Sequence, residues 1–596
     1  MYIKGKQISQ FKYFKLCLFL ICATLVACGE NYSANSDDWA LYGNGYHNQR
    51  HSSINTINTA NIDKLDLAWK YKTGKFGSFQ TSPIVLDGVM VFSTAFNDVV
   101  AVDATNGSEL WRYTHDLRTQ KSCCGPANRG VAVSQGKVFQ ATIDGRLIAL
   151  DLLSGKQLWD IAVKDTAVNI QETLKDALNL DLNQGEVNVI GGTGHSFNMA
   201  PQVYENMVLI GSTGAGYGLH LNTEHGLAVV GLGDSRTGLR GFIAAYDITT
   251  GEELWRWYTI KDEQWVGDWV ETTEDGVSLN RDVASEKEQQ KRFPNAWKLG
   301  GGSIWTTPAI DTETGWIFFG TGNPAPNMDD STRPGDNLNT ASVVALDSKT
   351  GLIQWAYQQV PHDRWGYDVA SPPVLFDVEY QGETVKAVGQ AGKTGWFYVF
   401  NRATGKLLYK SDAFVPQHNM FASPTAEGVK ISPAIAGGSN WSPVAVNPHS
   451  KTVFIAGIHL PAIYYKQETE PTPDAPWESY SYFTFDRSES YGLLSAIDLN
   501  SGRLRWQHKT IEPLIGGVLH TAGGLVFSGR GNGEFFALDE NSGKKLWSYQ
   551  AAYGVNAPPI TYRIAGKQYV AVAAGGNKVA GYPVGDELLV FALPDK

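Results

Sequence analysis

An all-β, eight-bladed propeller is the fold this sequence predicts, and three observations predict it. A short motif recurs: Asp103 leads through Gly107 to Trp111, and Asp151 through Gly155 to Trp159. The spacing returns at Asp247, Gly251 and Trp255, at Asp347, Gly351 and Trp355, at Asp498, Gly502 and Trp506, and at Asp539, Gly543 and Trp547. A degenerate copy has Asn401, Gly405 and Tyr409. Second, 63 Gly, 18 Trp and 12% aromatic residues suit many short strands and tight turns. Third, helix-like patterning is confined to two stretches, near 168–180 and 284–292.

Each motif reads as a strand, a turn that Asp opens and Gly completes, and a second strand carrying a large aromatic. The aromatic can pack on the neighbouring unit, so no unit buries its faces alone. Residues 67–71, with Trp69, form a partial eighth copy, and the apolar run 587–593 is a strand able to complete the same unit. Eight units of four strands make the propeller. Successive motifs lie between 41 and 100 residues apart, so insertions decorate some blades.

The chain opens with Lys4, Lys6, Lys12 and Lys15, followed by an apolar run at 16–27 that is too short to anchor as a spanning helix. Its end, Leu25-Val26-Ala27-Cys28-Gly29, resembles the lipobox of bacterial lipoproteins. That resemblance implies removal of 1–27 and lipidation of Cys28, the alternative being an ordinary secretory leader. Either way the expected compartment is oxidising, on the periplasmic side of a bacterial membrane with only a lipid as anchor. Residues 28–38 are expected to be a tether and 39–596 the propeller. The formal charge of −11, made more negative once the leader lysines are removed, opposes nucleic-acid binding and suits a basic partner.

Within the body only Cys123 and Cys124 remain, since Cys17, Cys22 and Cys28 lie in or at the end of the leader. Adjacent cysteines are either two thiols or a strained ring with α-carbons ~3.8 Å apart, below the usual ~4.4–6.8 Å. Such a ring would be a rigid platform for something planar. Arg129, five residues on, adds a fixed cation with a planar fork of donors.

These motifs, with Cys123-Cys124 followed by Asn128-Arg129-Gly130, resemble the quinoprotein alcohol dehydrogenases that use pyrroloquinoline quinone (PQQ), from about Trp39 to Leu593. The resemblance implies a Cys123–Cys124 disulfide on one face of the quinone and Trp305, in Gly300-Gly301-Gly302-Ser303-Ile304-Trp305, on the other. It implies Arg129 and Lys393 as the basic partners of a tricarboxylate, Lys393 facing the reactive carbonyls. Polar contacts would come from Gln80, Asn198, Thr213, Ser303, Asn440 and Asn577, with Gly214 and Ala215 beside them.

The family also holds calcium or a lanthanide with a Glu, an Asn and an Asp, the Asp doubling as catalytic base. Here the Asn is Asn323, but the Glu position is Gly216 and the Asp position is Gly366. Asp368, two residues on and on the same side of an extended segment, is the expected substitute as metal ligand, as base, or as both. The insertion at 217–240 brings His220, Glu224, His225 and Asp234, either as replacement ligands or as solvated charges.

The implied activity is oxidation of an alcohol or sugar hydroxyl. With no Cys-x-x-Cys-His for a built-in haem, electrons would leave to a separate carrier such as a soluble cytochrome c. The glycines around 214–218 are not followed by a helical pattern, and no Gly-x-Ser-x-Gly or His-Glu-x-x-His is present. Dinucleotide, serine-hydrolase and zinc-peptidase chemistries are therefore set aside. The competing reading is a non-enzymatic propeller lipoprotein, an envelope assembly scaffold with a degenerate site.

Overall fold

The computed structural model describes residues 37–117, 125–163, 195–213, 219–222, 226–229, 239–468 and 479–595. Among them, strands gather into eight sheets of four or five strands and two smaller sheets. Ile84–Leu86, Val89–Ser93, Val99–Asp103 and Glu109–Tyr113 form one such sheet, in chain order and antiparallel. Its middle strands are buried on both faces, because each sheet lies between two others, whereas its last strand exposes Glu109 and Leu110 and buries Trp111.

The recurring motif makes the turn its residue types predict. At Asp347 the carboxylate Oδ1 accepts the N–H groups of Lys349 and Thr350 at 3.0 and 2.9 Å, and the Gly351 N–H donates to the Asp347 carbonyl. Gly351 then takes φ +67°, which a side chain would resist. A Cβ there would lie 2.6 Å from Cε3 of Trp255, the aromatic of the preceding motif.

The same contact pairs Gly107 with Trp69, Gly155 with Trp111, Gly251 with Trp159, Gly405 with Trp355, Gly502 with Tyr409 and Gly543 with Trp506. Most of these rings also donate to a backbone carbonyl on the neighbour, Trp255 to Ser348 at 2.7 Å and Trp355 to Arg402 at 3.0 Å. The last, Trp547, donates to Leu65 at 2.9 Å and so brings the end of the series back to its start.

The ring is also closed by strand pairing. Asp66–Gly77 runs antiparallel to Gly585–Ala592, with Trp69 opposite Val590. This is the shared sheet expected from the partial motif at 67–71 and the apolar run at 587–593. The arrangement is that of a β-propeller. Of the two helix-like stretches, one is the helix Val283–Arg292, capped by Asp282, whose carboxylate accepts the Ser285 N–H. The stretch near 168–180 lies outside the described residues.

Candidate active site

The segments that enter the first strand of successive sheets converge on one cavity of about 470 Å³. Gln80 precedes Ile84–Leu86, Arg129 precedes Ala132–Ser134, and Asn198 precedes Gln202–Tyr204. Ser303 and Trp305 precede Ala309–Asp311, Asp368 precedes Val374–Tyr380, and Asn440 precedes Ala445–Asn447. Thr213, Lys393 and Asn577 enter from segments that follow the second strands or, for Asn577, the strand before the last. Residues up to nearly 500 positions apart in sequence are thus gathered by the ring onto its axis. The nine described residues expected to contact the quinone, together with Asp368, all line this cavity.

One side of the cavity is built around Arg129, which is buried. Its Nη1 donates to Asn198 Oδ1 at 2.7 Å and to the Trp305 carbonyl at 3.2 Å. Asn198 Oδ1 also accepts the Thr213 hydroxyl at 2.9 Å, which fixes the amide. The guanidinium lies 5.1 Å from the Trp305 ring centre and 4.8 Å from that of Trp441. Burial pushes its pKa down to about 10, opposed by the Tyr42 phenol. Among the described residues, Arg129 Nε and Gln80 Oε1 have no hydrogen-bond partner. A buried cation with an unpaired donor is costly alone and is relieved by an anionic ligand. These residues fit a flat polycarboxylate.

The other side is built around the segment 361–368. Buried Asp363 folds it: Oδ1 accepts the N–H groups of Trp365 and Gly366 at 2.9 and 3.0 Å, and Oδ2 accepts that of Tyr367 at 2.7 Å. Burial raises its pKa to about 6. His362 points elsewhere, its Nδ1 donating to the Gly335 carbonyl at 2.7 Å. Both residues therefore shape the loop rather than the cavity.

Gly366 takes φ +79°, and a Cβ on it would lie 2.6 Å from Ile435 Cγ1 and 2.9 Å from Met328 Cε. Its carbonyl accepts Lys393 Nζ at 2.9 Å. That ammonium lies 3.5 Å from Asp368 Oδ2, while Asp368 Oδ1 accepts the Asn323 backbone N–H at 2.7 Å. The two residues expected to hold a metal do meet, but through the Asn323 main chain, and the Asn323 side-chain amide donates to the Pro324 carbonyl. Among the described residues, no group of three or more His, Cys, Asp or Glu could hold a metal ion. Among the described residues, Asn323 and Asp368 alone fall short of the six to eight oxygens that a hard cation takes.

Cys28, Cys123, Cys124, Gly214, Ala215, Gly216, Glu224, His225 and Asp234 lie outside the described residues. For His220 only the backbone, in the strand Leu219–Asn222, is described. Sequence reasoning missed Trp441, although it directly follows Asn440 in a motif already singled out. It also missed the cavity mouth. There Phe483 and Phe485 reach in from a three-stranded side sheet, Val429–Ile431, Ala462–Glu468 and Ser479–Phe485, built by an insertion. Their i, i+2 spacing, which puts both on one strand face, was the available signal.

Among the described residues, the axis carries a buried arginine with no carboxylate partner and two indoles beside it, a lining suited to a planar anionic ligand. The chain belongs to the PQQ-dependent alcohol dehydrogenase family: the model of the glucose/ethanol/alcohol dehydrogenase β-propeller domain matches residues 39–419 and 411–570. It is similar to the quinohemoprotein alcohol dehydrogenase of Comamonas testosteroni, 31% identical over 586 residues, covering 92% of this chain and 74% of that protein. It is also similar to the quinoprotein alcohol dehydrogenase PedH of Pseudomonas putida, 31% identical and covering 96% of each chain. The solved Comamonas testosteroni enzyme superposes with a TM-score of 0.75 at 28% identity, covering 95% of this chain and 82% of that one. A europium-containing methanol dehydrogenase does so with 0.74 at 27% identity, covering 94% and 99%.

Proposed function

We propose that this protein is a PQQ-dependent dehydrogenase that oxidises an alcohol or sugar hydroxyl and passes the electrons to an external carrier, a soluble cytochrome c or its equivalent. The observation that carries the reading is the convergence of Gln80, Arg129, Asn198, Thr213, Ser303, Trp305, Lys393, Asn440 and Asn577 on one axial cavity. Each large sheet is read as one blade of an eight-bladed propeller, and a Cys123–Cys124 bond as a flat floor opposite Trp305. The external carrier is argued from the lack of a Cys-x-x-Cys-His in the sequence.

When bound, the quinone supplies a two-electron acceptor for the hydride of the substrate carbon. The chain's residues do the rest. Arg129 and the amides and hydroxyls near it bind and orient carboxylates, and Trp305 supplies an aromatic face. Asp368 is the base in place of the Asp that Gly366 lacks. With Oδ1 held by the Asn323 N–H, its Oδ2 receives the substrate hydroxyl proton. Lys393, 3.5 Å from Oδ2, stabilises that carboxylate and offers N–H donors to an oxygen in the cavity. Phe483 and Phe485 at the mouth restrict water.

The leader places the protein, in this reading, on the periplasmic side of a bacterial membrane and lipidated at Cys28, so Cys28→Ser should release it from membranes. The activity is tested by adding PQQ to the purified chain. Expected are a bound-quinone absorption band and alcohol-dependent reduction of an artificial electron acceptor. A chain that takes up no quinone would leave the scaffold reading.

A further inference from the structure

We propose that the cation facing the quinone in this chain is Lys393, in place of a metal ion, so that the cavity takes up its quinone without metal. The inference rests on the quinoprotein reading and concerns only how the carbonyl side of the pocket gets its positive charge.

The donor set is the first argument. A hard ion is held by several oxygens with carboxylates prominent among them. The chain has Gly216 and Gly366 at the two positions where the resemblance calls for carboxylates. Position 366 is also closed to a side chain. Its left-handed φ of +79° suits glycine, and Ile435 and Met328 fill the space that a Cβ would enter. Asp363 fixes that conformation through three backbone N–H groups, so restoring an acid at 366 would require the loop to refold. The glycine is therefore part of how the segment is built.

The second argument is the charge already in place at that site. Lys393 is buried, and its Nζ is held between the Gly366 carbonyl and Asp368 Oδ2, at 2.9 and 3.5 Å. Its stem is fixed by close packing, since a Cβ on Gly437 would lie 2.6 Å from Lys393 Cγ. The remaining carboxylate thus already has a cationic partner, and its other oxygen holds the Asn323 N–H. A metal ion brought to Asp368 would meet the ammonium within a few ångströms and find one carboxylate where several are needed. Lysine, a compact point charge with rotatable donors, can instead hydrogen-bond an electron-rich oxygen in the cavity.

The experiment uses the full processed chain, stripped with chelator. PQQ is titrated with chelator present and, separately, with calcium or lanthanum added, following the quinone absorption band, while metal content is measured by mass spectrometry. Expected are dissociation constants that agree within about twofold across the buffers, with no stoichiometric metal retained. Lys393→Met should weaken quinone binding about tenfold or more in every buffer, with no rescue by either ion, and Lys393→Arg should keep part of it. Thermal unfolding confirms that each variant is folded, and the wild-type comparison decides the matter if one is not. Uptake of quinone only with added metal, or one tightly held ion per chain, overturns the inference and leaves the quinoprotein reading standing. That outcome would also bring His220, Glu224, His225 and Asp234 forward as ligands. No quinone uptake in any buffer overturns both.

Discussion

At the rim of the propeller, Trp255 and Trp355 each cover a glycine of the next sheet and donate their indole N–H to a carbonyl there. At the axis, Arg129 and Gln80 are as deeply buried, yet Arg129 Nε and Gln80 Oε1 have no partner among the described residues. The rim contact is nearly the same at every junction. The axis holds different residue types from the various sheets: an arginine, a tryptophan, and from one sheet both a lysine and an aspartate. Repetition of one contact is what holds a ring together, whereas variation with open valences is what a ligand requires. Substitutions in the two regions should therefore separate: those at the axis should alter binding and turnover with little loss of stability, and those at the rim should do the reverse.

The largest separation is expected at Asp368. Asp368→Asn should lower turnover by ~10²–10⁴ while the quinone band and the unfolding temperature stay close to those of the parent, as steady-state assays and thermal melts would record. Activity equal to the parent would remove Asp368 as the base. Arg129→Met comes next, with PQQ affinity falling by roughly 10²-fold because a charge-assisted partner of a carboxylate is lost. The quinone-free chain should melt no lower than the parent, since a buried charge without a counter-ion is taken away. A clear loss of apo stability would break the contrast.

At the rim, Gly351→Ala forces a Cβ against Trp255 at a left-handed backbone position. It should cost about 1–3 kcal/mol in denaturant unfolding, with PQQ affinity unchanged. The last prediction concerns His51, outside both regions. Its Nδ1 is 2.8 Å from that of His520, and burial first, then His520 and His449, push its pKa down to about 4. A base whose folded pKa lies below its ordinary value of 6.5 adds stability that is complete above that pH. The contribution falls as the pH drops towards 4, by about 3 kcal/mol. Unfolding at pH 7 and 4.5 should show a shallower loss for His51→Asn than for the parent.

The contrast also explains what could be read from the sequence. The rim was legible because one contact is written many times: an Asp, a Gly and an aromatic at fixed spacing survive even where Asn401 and Tyr409 replace the usual pair. Of the axis, Arg129, Trp305, Lys393 and their polar neighbours were named only through the family resemblance that the short motifs around them carry. Trp441, on the far face of the Arg129 guanidinium, was not, because nothing local tells a stacking ring from a core one. The side sheet that brings Phe483 and Phe485 to the mouth comes from an insertion with no counterpart in the other blades, so no repeat announced it. The role of Asp363 was hidden for a different reason. A carboxylate that caps three backbone N–H groups looks, in sequence, like a candidate for chemistry.

The strand Gly585–Ala592 lies between Asp66–Gly77 and Lys567–Ala574 in a single sheet. The first large strand of the body thus waits for a strand more than 500 residues further along before it has a partner. During vectorial production of the chain the circle stays open, and the axial residues, which depend on every sheet being in place, cannot face one another. Formation of the axial cavity is thereby coupled to closure of the ring. A chain released before residue 585 would lack the stave that locks the circle, and with it the geometry that gathers Gln80 and Asn577 on one axis.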